Sequence, residues 1–317
     1  MLNNDRWIEL VGGFTLVCPV CKGELEIVRA DLLHCPACKL TYPCVDGIWR
    51  MLPPSRAAEY EKFIYEYETI RKSEGRGSNS PEYYQSLPYK DLSDRRSAEW
   101  AIRGRSFRAL MDQVIIRFER RVGRQLKILD LGAGNGWLSN RFAQRGHQVI
   151  AMDLLINPFD GLGAYINYQT HFMPIQAEFD HLPLADQQAD LVIFNASFHY
   201  STDYNLTLTE TLRLLAVGGL VIVLDTPVYH QAASGAQMVI ERQAQFEREY
   251  GFPSNSIPSE NYLTNARIQE LGEIHGLHWQ TFMPFYGFPW AIRPWLAKLR
   301  HHREPARFMI LIGSRNR

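Results

Sequence analysis

An excess of one charge, long apolar runs and scattered cysteines are all missing from this sequence. Lys plus Arg and Asp plus Glu both number 34 in the 317 residues, so net charge gives no argument for nucleic acid as a ligand. No stretch reaches the roughly 18 apolar residues of a membrane-spanning helix. Met1 to Leu10 lack the apolar core of a signal peptide. With 46% hydrophobic residues, the chain is expected to be a cytoplasmic globular protein without a membrane partner.

The five cysteines all lie between positions 18 and 44. Cys18 and Cys21 form one C-x-x-C pair, and Cys35 and Cys38 form another after the intervening residues 22–34. Two such pairs can present four thiolates tetrahedrally to Zn²⁺, which predicts a structural zinc site. A metal-free remnant and a redox dithiol are the alternatives. The fifth cysteine, Cys44, is expected to be a small buried apolar residue.

Composition divides the chain into three predicted units. Residues 11–53 form a small cysteine-containing unit that ends at a double proline. Residues 54–122 are helical in pattern, with expected helices near 55–70 and 93–122 around a Gly/Ser/Asn loop. Residues 123–317 alternate short apolar runs with helical patterns, which predicts an α/β fold with a doubly wound, mostly parallel sheet.

The third unit carries most of the predicted elements. The expected strands are near 128–131, 149–152, 191–194, 220–224, 280–283 and 308–312, with a weaker strand at 173–176. The expected helices are near 137–145, 205–215, 233–250 and 265–275.

A glycine-rich turn follows the first of these strands. Gly132 and Gly134 permit tight backbone geometry there and let a ligand approach the main chain. Asp153 follows the second strand and is placed to accept hydrogen bonds from ribose hydroxyls. A dinucleotide fingerprint needs a third glycine where Trp137 stands, and the carboxylate of Asp130 suits a cationic ligand better than a pyrophosphate. A nicotinamide or flavin site and a purely structural turn remain the alternatives.

Together these residues and four later segments resemble a class I methyltransferase domain of the ubiquinone/menaquinone type. The later segments are 177–184, 189–195, 212–220 and 307–313. The resemblance implies S-adenosylmethionine as cofactor and a Rossmann-like fold. Glu178 stands where the family has an aspartate facing the adenine amino group. The cofactor-binding residues implied are Asp130, Gly132, Ala133, Gly134, Asn135, Asp153, Leu154, Glu178, Phe179 and Asn195.

The segment Tyr42–Pro53 resembles the end of Trm112-like zinc ribbons. This resemblance implies a structural zinc held by the four paired cysteines. Such ribbons occur fused to methyltransferases or as their separate partners, so a protein partner of the ribbon is also expected.

Methyl transfer from a sulfonium is an in-line displacement that chiefly requires alignment of donor and acceptor. If the acceptor is a hydroxyl, His199 is the candidate base, since histidine titrates near neutral pH; packing at a helix start is the alternative. Tyrosines of 54–122 are expected mainly to pack a helix rather than cap the cofactor. Aromatic residues that include Tyr200 and the 285–295 segment are candidates for the acceptor pocket, with core packing as the alternative.

The predicted function is methyl transfer to an O, N or C atom of a small molecule, in secondary metabolism. Two alternative functions remain open. One is an RNA methyltransferase whose zinc ribbon binds RNA, and the other is a non-catalytic scaffold that binds S-adenosylmethionine. The ribbon has no excess of basic residues, which argues against RNA binding by the ribbon.

Overall fold

A sheet of eleven strands forms the centre of the computed structural model, which describes residues 13–315. The expectation about Met1 to Leu10, and the outer ends of the first and third predicted units, lie outside the described residues. The order across the sheet is β1-β2-β3-β4-β7-β6-β5-β8-β9-β13-β12. Its strands are β1 (Glu26–Arg29), β2 (Leu32–Cys35), β3 (Leu40–Val45), β4 (Ile48–Arg50), β5 (Lys127–Leu131), β6 (Gln148–Asp153), β7 (Met173–Gln176), β8 (Ala189–Asn195), β9 (Leu215–Leu224), β12 (Leu277–Phe282) and β13 (Ile310–Arg315).

Short connections, helices and one small sheet cover this central sheet. Strands β10 (Val228–Tyr229) and β11 (Leu263–Thr264) pair in parallel as a separate two-stranded sheet. One π-helical turn and two 3₁₀ turns lie at Met111–Ile115, Leu162–Asn167 and Phe198–Tyr200. The α-helices are α1 (Pro54–Ser73), α2 (Pro81–Ser86), α3 (Ser97–Leu110), α4 (Ile116–Val122), α5 (Trp137–Gln144), α6 (Tyr204–Leu214), α7 (Ala232–Tyr250), α8 (Asn265–His275), α9 (Phe288–Ala291) and α10 (Arg293–Leu299).

The middle of the sheet is parallel and the far end is antiparallel. β4, β7, β6, β5, β8 and β9 pair in parallel, whereas β13 runs antiparallel to both β9 and β12. All seven residues of β8 are buried, as expected for a strand covered on both faces. The predicted doubly wound α/β fold is therefore confirmed.

The cysteine-containing unit adds its strands to the same sheet. β4 pairs in parallel with β7, with Trp49 opposite Ile175 and Arg50 opposite Gln176. Lys22 also donates from Nζ to Oε2 of Glu210 on α6, at 2.6 Å. The first and third predicted units are thus joined by main-chain pairing, and the boundaries of all three units stay a prediction.

Several elements differ from the sequence-based expectations. The expected helix near 93–122 begins only at Ser97, because Asp91 accepts hydrogen bonds from the amides of Ser93 and Arg96 and holds that segment in a turn. The helix is also interrupted by its π-helical turn. Strand β9 begins at Leu215, directly after α6, and is therefore longer than the expected strand near 220–224, since it includes Gly218 and Gly219. The weakest expected strand, 173–176, is present as β7.

Candidate active site and metal centre

A cavity lies at the carboxyl edge of β5, β6, β7 and β8, where open α/β sheets bind ligands. Its volume is about 950 Å³, including the space open to solvent. Helix α1 covers one side, with Tyr60, Phe63, Tyr67 and Arg71 lining the cavity from one helix face. The cavity is therefore a concave site that α1 partly roofs.

The glycine turn after β5 forms the floor of this cavity. Gly132 and Gly134 have φ values of +75° and +54°, a region that side chains rarely adopt. A Cβ atom at Gly132 would lie 2.2 Å from the Cβ of Ser197, so the position accepts no side chain. The Gly134 amide donates to Oδ2 of Asp153 at 2.7 Å, which ties the turn to the end of β6.

Asp153 holds this turn from a partly buried position at the end of β6. Its other carboxylate oxygen, Oδ1, accepts a 2.8 Å hydrogen bond from the amide of Leu155. Burial raises the pKa of Asp153 to about 6, against the lowering effect of the hydrogen bonds from Leu155 and Gly134.

Nine of the ten predicted cofactor-binding residues line the cavity together. Among them, Asn195 at the end of β8 is buried, and its Oδ1 has no hydrogen-bond partner within residues 13–315. A buried free acceptor of this kind is available to a ligand donor. The nine residues are Gly132, Ala133, Gly134, Asn135, Asp153, Leu154, Glu178, Phe179 and Asn195.

Asp130, the tenth, is buried beneath the turn instead of lining the cavity. Its Oδ2 accepts a 2.7 Å hydrogen bond from the hydroxyl of Ser139, and Oδ1 finds no partner in the described part of the chain. Burial raises the pKa of Asp130 to about 7, so the carboxyl resists ionisation. Sequence position alone did not reveal this enclosure, which comes from α5 packing on β5.

The carboxylate of Glu178 accepts hydrogen bonds from two residues of α1. Arg56 donates from Nε to Oε1 at 2.8 Å, and the hydroxyl of Tyr60 donates to Oε2 at 2.9 Å. Farther along the same helix, Arg71 forms an ion pair with Asp160, which also lines the cavity. These contacts hold α1 over the glycine turn.

The role of α1 was largely missed by sequence reasoning. Tyr60 and Tyr67 were expected mainly to pack a helix, yet both line the cavity. Their spacing with Phe63 and Arg71 follows one helix face, and this spacing was the available signal. Tyr65 and Tyr89 are exposed, in contrast.

His199 is buried and lies outside the residues that line the cavity. Burial, together with the charges of Arg242 and Arg103, lowers its pKa to about 3. Its Nδ1 lies 3.4 Å from the hydroxyl of Thr226. The side chain is therefore neutral at physiological pH, and its predicted role as a base is not tested by these contacts.

Of the aromatic residues considered for the acceptor pocket, Tyr200 lines the cavity. Its ring packs edge-on against Tyr67, with 5.8 Å between centroids. Phe285 and Phe288 are exposed, and Tyr286 is buried against Ser106. The 285–295 segment thus does not contribute to the main cavity.

The four paired cysteines meet at one point. The Sγ atoms of Cys18, Cys21, Cys35 and Cys38 all lie within 4.8 Å of one another, which suits tetrahedral thiolate coordination of zinc. Burial opposes ionisation of Cys18, but hydrogen bonds from Tyr42 and from neighbouring amides lower its pKa to about 7. Cys44 lies outside the cluster, as expected, but it is half-buried instead of fully buried.

Comparison with known families decides the class of both regions. Residues 129–223 match the family described as "Methyltransferase domain", and residues 15–47 match the family described as "Trm112p-like protein". The chain contains a methyltransferase domain. Both resemblances drawn from the sequence are thereby confirmed. The methyltransferase domain spans β5 to β9 and includes the glycine turn, in agreement with S-adenosylmethionine as its cofactor. The Trm112p-like region contains all four clustered cysteines, in agreement with structural zinc.

Curated relatives match through the methyltransferase domain. A malonyl-(acyl-carrier protein) O-methyltransferase of Hamiltonella defensa is 28% identical over 95 residues, covering 30% of this chain and 36% of the relative. The same type of enzyme from Erwinia billingiae is 32% identical over 113 residues, covering 35% of this chain and 44% of the relative. The matched region thus spans less than half the length of these relatives.

A solved S-adenosylmethionine-dependent methyltransferase from Mesorhizobium loti is 18% identical, with a TM-score of 0.43, and its match covers 60% of this chain and 91% of that protein.

Among the helices that the structure describes, none has the length and apolar character needed to cross a membrane.

Proposed function

We propose that this chain catalyses S-adenosylmethionine-dependent methyl transfer to a small-molecule acceptor. The observation that carries the proposal is one cavity that combines the glycine turn, Asp153 and the unpartnered Oδ1 of Asn195 under the roof of α1. The methyltransferase domain match covers this turn and these residues.

The residues present fit the cofactor. Gly132 and Gly134 leave the main chain open to close approach, because neither carries a side chain. Asn195 offers a free acceptor, and Asp153 lies at the end of β6 with its carboxylate beside the turn. When bound, S-adenosylmethionine would supply a methyl group on a sulfonium.

The chain's own contribution is orientation and exclusion of water. The glycine turn is fixed by Asp153, so its amides are held in one arrangement before a ligand binds. Tyr60, Phe63 and Tyr67 cover the opposite side and keep water from much of the cavity. A displacement that requires alignment and a water-poor site needs little else.

A small acceptor is favoured over RNA because two ion pairs hold α1 across one side of the cavity. Arg56 pairs with Glu178 and Arg71 pairs with Asp160, so α1 narrows access to the cavity from that side. The ribbon has no basic excess that would bind phosphates. O, N and C acceptors are all compatible with this geometry.

The expected location and partner form part of the same proposal. A four-thiolate zinc site is suited to a reducing compartment, which supports a cytoplasmic location.

Strand β1 lies at the outer edge of the large sheet, and all four of its residues are exposed. We therefore place the contact with the expected protein partner of the ribbon at this strand.

The test is calorimetric titration of the purified chain with S-adenosylmethionine and, separately, with NADH, alongside zinc analysis. We expect binding of S-adenosylmethionine alone and about one zinc per chain, as a four-thiolate site requires. Methyl transfer to candidate acceptors would then be followed with isotopically labelled cofactor. A folded, zinc-loaded sample that fails to bind S-adenosylmethionine would disprove the proposal.

A further inference from the structure

A second cavity lies beside the first, between α1, α7 and the chain that precedes β11. Its empty space, including the part open to solvent, is about 600 Å³. The two cavities share five lining residues. These are Phe63, Tyr67, Arg71, Tyr200 and Ile257.

The shared residues lie where the two cavities adjoin, and three of them are aromatic. Tyr67 contacts both Phe63 and Tyr200, with ring centroids 5.5 and 5.8 Å apart. The second cavity contains none of the residues predicted to bind the cofactor. It is therefore a neighbouring compartment, at the place where a methyl acceptor would meet the cofactor cavity.

The lining of the second cavity carries three arginines, Arg71, Arg76 and Arg242, and one carboxylate, Glu74. Arg71 is paired with Asp160. Arg76 donates to both carboxylate oxygens of Glu99, at 2.9 Å each, and also contacts Glu74. These arginines are neutralised within the fold.

Arg103 lines the first cavity and Arg242 lines the second. Arg103 forms an ion pair with Glu99 at 2.8 Å. Arg242 on α7 donates to the amide oxygen of Asn261 at 2.6 Å and has no carboxylate partner within residues 13–315. One full positive charge on the wall of the second cavity is thus left without an anion.

The surroundings of Arg242 keep this charge uncompensated. The nearby His199 is neutral, since burial and the charges of Arg242 and Arg103 lower its pKa. Asn261, the hydrogen-bond partner of Arg242, is held by its backbone N–H, which donates to the backbone carbonyl oxygen of His199 at 3.1 Å. The guanidinium is therefore held in place by neutral groups.

We propose that the second cavity binds the methyl acceptor and that this acceptor is a small organic acid whose carboxylate pairs with Arg242. The inference rests on the proposed function. The aromatic and aliphatic side chains of the cavity receive the apolar body of the acid. They are Phe63, Tyr67, Ile70, Tyr200, Phe246 and Ile257.

A carboxylate fits this site better than a phosphate. The planar guanidinium of arginine matches the two oxygens of a carboxylate, and a single free cation balances a single negative charge. A phosphate monoester carries nearly two charges at neutral pH and would require a second free cation.

The experiment uses three probes of the same ring system: 1-naphthylacetate, its neutral amide and 1-naphthyl phosphate. Each is titrated calorimetrically into the full zinc-loaded chain in the presence of S-adenosylhomocysteine. We expect the acid to bind at least about 10-fold more tightly than the amide, as one charge-assisted pair provides. We expect Arg242→Gln to reduce this preference to below about 3-fold, because glutamine preserves a hydrogen bond to Asn261 but removes the charge.

Arg248→Gln is the matched control, since Arg248 lies on the same helix but is exposed. It should retain the wild-type preference. Equal binding of acid and amide, tighter binding of the phosphate, no binding of any probe, or an unchanged preference in Arg242→Gln would each overturn the inference. Titration of S-adenosylhomocysteine alone distinguishes failure of this inference from failure of the proposed function. If S-adenosylhomocysteine binds but the acid is not preferred, only the acceptor site is refuted. If S-adenosylhomocysteine does not bind, the proposed function itself is refuted.

Discussion

Arg56 and Glu178 form a two-point ion pair between the roof of the cavity and its floor. Nε of Arg56 donates to Oε1 at 2.8 Å and Nη2 donates to Oε2 at 2.5 Å, and the Glu178 side chain is only 1% exposed. Both oxygens that were expected to face the cofactor adenine are therefore engaged by α1. A ligand that uses Glu178 has to share it with Arg56 or displace it.

Removal of Arg56 should loosen the roof. In Arg56→Gln the buried Glu178 keeps the hydroxyl of Tyr60 and the neighbouring His181 but loses its arginine partner, so we expect a loss of about 1–3 kcal/mol in the free energy of unfolding. Urea denaturation measures this loss. Hydrogen exchange should also be faster in α1. Lys72→Gln, an exposed change on the same helix, should stay within about 0.5 kcal/mol of wild type. Equal stability of the two variants would contradict the assigned role of the pair.

Gly134 should be required for cofactor binding more than for folding. A Cβ atom there meets only the carbonyl oxygen of Asp160, at 3.6 Å, so a larger side chain enters the open cavity. We expect Gly134→Val to weaken S-adenosylmethionine binding by at least about 100-fold, or roughly 2.7 kcal/mol, in calorimetry. Gly146→Val is the matched control, because Gly146 also has a positive φ but no neighbour within 4 Å. It should share the backbone strain and retain affinity.

The sequence predicted those parts of the fold that depend on local pattern. Strands β5, β6 and β8 and the glycine turn are encoded by short apolar runs and by glycine itself, and they were placed within a few residues. The four cysteines were likewise identified from spacing alone. Their residues lie close together in the chain, so distant contacts were not needed to find them.

Long-range packing accounts for what was missed. The roof contacts join Arg56 to Glu178 and Arg71 to Asp160, residues about a hundred positions apart that no local pattern links. The pairing of β4 with β7 is equally distant and makes the ribbon part of the central sheet. Asp130 lies in its expected strand, but its enclosure beside Ser139 depends on how α5 packs on β5.

Asp130 should make stability depend on pH. Its pKa is raised by burial to about 7 from an ordinary value near 3.8, so the native state favours the protonated form. Its stabilising contribution is complete below about pH 4 and is lost as pH rises through 7. We expect Asp130→Asn to gain stability over wild type at pH 8 and to show little difference at pH 4.5, as measured by urea denaturation. The comparison with wild type cancels the pH dependence of the zinc site. The same difference at both pH values would contradict a raised pKa.

His199 should remain neutral across the physiological range. With its pKa lowered to about 3 by burial and by nearby arginines, its ring is deprotonated above about pH 4. Nuclear magnetic resonance of the labelled ring, assigned with His199→Gln, should show no titration between pH 5 and 8. The ring of the exposed His301 is followed in the same spectra for comparison. An inflection for His199 near pH 6.5 would show that the ring is more accessible than its burial indicates.

Zinc should stabilise the methyltransferase domain as well as the ribbon. The metal ligands lie in the unit whose strand β4 pairs with β7, and Lys22 of the first cysteine knuckle contacts Glu210 on α6. We expect Cys38→Ser to lose zinc, to lower the melting temperature and to speed hydrogen exchange in β7, because the four-thiolate site then lacks one ligand. Cys44→Ser is the matched control, since Cys44 lies outside the cluster and should leave one zinc per chain in place. If Cys38→Ser lost its zinc while exchange in β7 stayed unchanged, the paired strands would not transmit stability, and the ribbon would be an independent unit despite its place in the sheet.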